Sequence, residues 1–97
     1  MDVYAALCTA RADGSDPKYL GGEKHAMLAM IHASADDAEN AITSLLQSNG
    51  WREPAIQQLK LLAEPFHSDD PAMQRCYDSA IHREGGIVIY SDPMPDA

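Results

Sequence analysis

The chain reads as an α+β domain: a two-layer sandwich in which a four-stranded mixed sheet carries two helices on one face. Two stretches show a single apolar stripe at helical spacing, each bounded by an N-cap residue and a glycine stop. Four other runs are apolar or rich in β-branched and aromatic residues, and are bounded by Gly, Pro, Asn and Asp. Their order along the chain is β-β-α-β-α-β.

Val3 to Arg11 is the first strand, marked by its Val, Tyr and Thr content and by the turn-rich segment that ends it. It is apolar on both alternating faces, with Val3, Ala5 and Leu7 pointing one way and Tyr4, Ala6 and Cys8 the other. Ala12 to Glu23 is a loop, since it holds Asp-Gly, Asp-Pro and Gly-Gly and no helical stripe. Tyr19 and Leu20 are its large apolar residues and are expected to pin it to the body; the sharper alternative is a lid over a pocket. Gly21-Gly22 lacks the further glycines that a phosphate-binding loop requires.

Lys24 to Ala33 is the second strand, again largely apolar on both faces. His25 and His32 fall on its opposite faces, so they cannot ligate one metal together. The stretch from His32 to Arg52 holds the first helix. Ser34 is its expected N-cap, with Asp37 completing a capping-box-like exchange and Asp36, Asp37 and Glu39 favoured by the helix dipole. Ala38, Ala41, Ile42, Leu45 and Leu46 form the stripe. Asn49-Gly50 ends the helix, and Trp51 is expected to fold back on Leu46. The strands on either side make a β-α-β unit, right-handed if they pair parallel.

The third strand, Ala55 to Ala63, is the most polar, and Gln58 and Lys60 place part of one face at a sheet edge or rim. After a loop from Glu64 to Asp70, Asp70-Pro71 opens the second helix. Its stripe is Met73, Cys76, Tyr77, Ala80 and Ile81, and Gly85-Gly86 stops it, with His82 and Arg83 in the last turn. Gly86 to Ser91 is continuously apolar, as a buried central strand is. Asp92 to Ala97, with two prolines and two acids, is an acidic frayed tail, which leaves residues 1–91 as one domain.

This element order resembles relatives of the ferredoxin-like fold, including small α+β barrels that dimerise through their sheets, although the usual helix between the first two strands is missing. No family motif accompanies the resemblance, and no functional residue is carried over. Two helices cover one face of such a sheet, yet three strands are apolar on both faces. The uncovered face would exceed the apolar patch that soluble monomers usually expose, so a homodimer through that face is expected.

Composition narrows the function. The chain is 45% apolar with a formal net charge of -8, from 15 acidic and 7 basic side chains. Such an acidic protein gains nothing from counterion release, which argues against nucleic acid, and the same excess argues against anionic membranes. With no apolar run near the roughly 20 residues of a membrane span, and no signal-peptide opening, the expected location is cytoplasmic. Cys8 and Cys76 lie outside any C-x-x-C pair and read as buried, reduced thiols.

His32, at a strand end before the first helix, is the candidate general base. Tyr4, Cys8 and Tyr90 are candidates to share a ligand cavity with it. His67, Asp69 and Asp70 have ligand-type side chains without a recognisable metal spacing, so no metal is expected and no cofactor motif is present. His25 and His82 read as surface or rim residues. The leading function is a homodimeric domain that binds a small, partly apolar ligand or a protein partner. The alternative is a small cofactor-free enzyme, of proton-transfer, isomerase or oxygenase type, using His32 in an apolar cleft.

Overall fold

Four strands and two helices follow one another as β1 (Asp2–Ala12), β2 (Lys24–Ala33), α1 (Ala38–Ser48), β3 (Trp51–Leu61), α2 (Pro71–His82) and β4 (Gly86–Ile89). This computed structural model describes residues 2–63, 66–90 and 94. The expected α+β class and element order are present, and the strands form one sheet in the order β3-β1-β2-β4. Every neighbouring pair is antiparallel, so the sheet is not mixed as expected. The reason lies in the crossover. β2 and β3 do run parallel, since both oppose β1, but β1 lies between them and no parallel pair is made. The strand order also differs from that of the ferredoxin-like fold.

The second correction concerns the layers. Residues facing each other across a ladder share a face, and successive residues alternate. On one face Ala6, Cys8 and Ala10 of β1 join Met27, Ala29 and Ile31 of β2, and they pack with Ala38, Ile42, Leu45 and Leu46 of α1. On the other, Val3 and Ala5 of β1 and Met30 of β2 pack with Cys76 and Ala80 of α2. The two helices therefore cover opposite faces of the sheet. This is why β1 and β2 are apolar on both sides, and the helix-free face on which a homodimer was expected does not exist.

Small residues set how closely the helices approach. Ala6 and Ala29 stand side by side under α1. On the other face a Cβ on Gly86 would overlap the Cys76 carbonyl, so α2 can lie against β4 only because that residue is glycine. β4 is an edge strand, not a central one. Its continuous apolar run arises because Ile87 and Ile89 pack on the α1 side while Val88 packs on the α2 side.

Capping follows the sequence at α2, where Asp70 accepts from the Ala72 N–H at 2.9 Å. α1 starts later than its signals suggested. Ser34 donates to Asp37 at 2.9 Å, but residues 35–37 form a turn, and the helix begins at Ala38 behind an Asp37 whose side chain makes no capping bond. Its expected stop holds, with Asn49 at the C-cap and Gly50 at φ 88°.

β3 begins at Trp51, four residues before the expected start, and carries Pro54 within it. An edge strand tolerates a proline, and Glu53 at φ 52° marks an irregularity in its pairing with β1. The expected tail falls mostly outside the described residues. Among the described residues, no helix is long and apolar enough to cross a membrane.

Candidate functional site

Rows of side chains across the α2 face of the sheet define the floor of a cleft. Gln58, Leu7, Leu28 and Val88 form one row from β3 to β4, and Lys60, Ala5, Met30 and Gly86 form the next. α2 covers the β4 side of these rows and leaves the β3 side open. Ala5, short between neighbours that are longer, leaves a hollow there. Leu62, Phe66 and Ser68, from the segment after β3, close one side, and Met73 of α2 closes another. The Phe66 ring lies 5.0 Å from that of Tyr77, which braces the wall against α2. The cleft has a volume of about 370 Å³. Apart from Gln58, Ser68 and Lys60 the lining is apolar, and Lys60 is the one charged side chain among the described residues that line it.

A larger cleft, of about 540 Å³, follows the outer edge of β4 and is walled in part by Asn49, Arg75 and Ser79. It lies along an edge strand, whose outer backbone groups have no strand partner and would be left for water to satisfy. An apolar occupant would strip that water without replacing its hydrogen bonds, whereas the cleft beside α2 offers mainly side-chain carbon.

The candidate residues of the sequence do not converge. Tyr4 and Cys8 lie on the α1 face, while His32, opposite Val3, lies on the α2 face and is exposed. Tyr90 follows β4 and donates its N–H to the Ala26 carbonyl, six residues and roughly 20 Å along β2 from His32. None of the four lines the α2-side cleft. Burial pushes the Cys8 thiol up to about 11, and it donates weakly to the Ala6 carbonyl, so it is not a poised nucleophile. In the loop after β3, Asp70 caps α2; among the described residues no group of His, Cys, Asp and Glu is arranged to hold a metal ion.

His25 is the residue that sequence reasoning misplaced. It is buried on the α1 face, not at the rim, with Tyr19 and Trp51 rings 5.0 and 5.7 Å from its own. Its Nδ1 donates to the Tyr90 carbonyl at 2.9 Å, and its Nε2 meets a Glu23 carboxylate oxygen at 3.0 Å. The carbonyl can only accept, so Nδ1 is the donor in that bond. With both nitrogens engaged and the ring closed off, His25 is an anchor joining the loop after β1 to the chain after β4. Tyr19 pins the loop as expected, while Leu20 remains exposed; Trp51 joins this cluster of rings and is buried in the same core as Leu46.

Comparison of the chain with protein-family models, curated proteins and solved structures finds no match.

Proposed function

We propose that this chain is a small-ligand-binding domain whose site is the cleft between α2 and β3. The carrying observation is the lining: a hollow of about 370 Å³ walled by Leu7, Leu28, Met30, Leu62, Phe66 and Met73, with three polar side chains at its margin. That volume lies within the range of roughly 300–1,000 Å³ common to small-molecule sites, and apolar walls with a few polar groups are their usual chemistry. Burying a ligand's apolar surface there would stabilise the complex by about 25 cal/mol per Å² removed from water, before the costs of association.

Gln58 is exposed on β3 and lines the mouth, so an indole placed there would obstruct entry without disturbing the core. Isothermal titration with 1-octanol should give one binding site with a negative heat-capacity change, and Gln58→Trp should weaken it by about tenfold or more. Equal affinity in the two proteins would overturn the assignment of the site.

A further inference from the structure

Resting on that reading of the cleft, we propose that its ligand is an amphiphile with an anionic oxygen head group, held by the Lys60 ammonium at the rim while its apolar body lies over Leu7, Leu28 and Met30. Lys60 belongs to β3 and stands opposite Ala5, and both residues line the hollow. A lysine beside an apolar wall lays its methylenes along that wall and keeps its charge at the water boundary. That geometry places a cation where a head group would emerge from the hollow.

Charge complementarity makes the choice of occupant. The chain has 15 acidic and 7 basic side chains, yet among the described residues the cleft is lined by a lysine and by no acid. Glu53, the acidic residue of β3, is paired with Arg11 at 3.6 Å, and no ion pair among the described residues engages Lys60. A neutral body would gain nothing from this cation. A cationic head would be repelled by it, whereas a carboxylate or phosphate would meet a charge-assisted donor at the end of an apolar channel.

The test compares ligands of one chain length at neutral pH: octanoate, octyl phosphate, 1-octanol and octylammonium, titrated into the natural chain, Lys60→Gln and Lys60→Arg. The natural chain should bind both anions about three- to tenfold more tightly than 1-octanol, with octylammonium weakest, the scale of a partly exposed ion pair. Lys60→Gln should bring octanoate and 1-octanol to the same affinity, and Lys60→Arg should keep the anion preference. The relative strength of octyl phosphate and octanoate separates a phosphorylated ligand from a carboxylic acid.

If 1-octanol binds the natural chain as tightly as the anions do, the head-group assignment is overturned and the cleft stands. Absence of binding by all four would overturn the cleft reading itself. Should dilution alone, without ligand, shift the signals of the lining side chains, the occupant is a second copy of the chain and the amphiphile proposal falls.

Discussion

Burial pushes the thiols of Cys8 and Cys76 from 9.0 up to about 11, because each sits in apolar surroundings that disfavour the thiolate. A group whose folded pKa is raised contributes stability that is complete below its unfolded value and lost as the pH climbs through the folded one. Denaturant unfolding should therefore be insensitive to these thiols up to about pH 9. It should then lose on the order of 2 to 3 kcal/mol per thiol by about pH 11. Cys8→Ala should remove about half of that decline, and an undiminished decline would mean that other groups cause it. That both cysteines act as inert, buried residues was legible from their isolation in the sequence. The setting of His25 was not, because its partners Glu23 and Tyr90 come together only through the hairpin of β1 with β2 and the arrival of β4.

Among the elements, α2 and β4 depend most on a single position. Replacing Gly86 by alanine would drive a methyl into the Cys76 backbone, where no side-chain rotation can relieve the contact. Gly86→Ala should cost about 2 kcal/mol or more in urea unfolding, and should loosen α2, the helix that walls the cleft. A change below about 0.5 kcal/mol would contradict the close packing described for this pair. The Asn49-Gly50 stop of α1 and the Asp70-Pro71 start of α2 were readable locally, since capping chemistry resides in neighbouring residues, whereas α2 ends at His82 with Arg83 at its C-cap, ahead of the expected Gly85-Gly86 stop. The boundaries of β3 were not. Pro54 reads as a barrier before the strand, and only its place at the sheet edge makes it compatible with the strand interior. Ser34 and Asp37 likewise meet, but side chain to side chain in a turn ahead of α1 and not as the expected capping exchange with backbone N–H groups.

At the scale of the whole molecule, the doubly apolar character of β1 and β2 was visible in the sequence, and its cause was not. Alternation reports that both faces are dry; whether a partner or a second helix dries them depends on where each crossover passes. Here α1 and α2 pass on opposite faces, and the cleft is what α2 leaves uncovered beside β3. Of its lining, Gln58 and Lys60 were legible as rim residues. Phe66 and Met73 were not legible as walls, since their places depend on α2 docking over β2 and β4. The most direct test is a methyl NMR titration with octanoate. Signals of Leu7, Leu28, Met30, Leu62 and Met73 should shift together and saturate, while those of Met27, Ile42 and Leu46 beneath α1 stay in place. Shifts centred on Leu45, Ile87 and Ile89, or none at saturating ligand, would contradict the assignment of the α2-side cleft as the binding site.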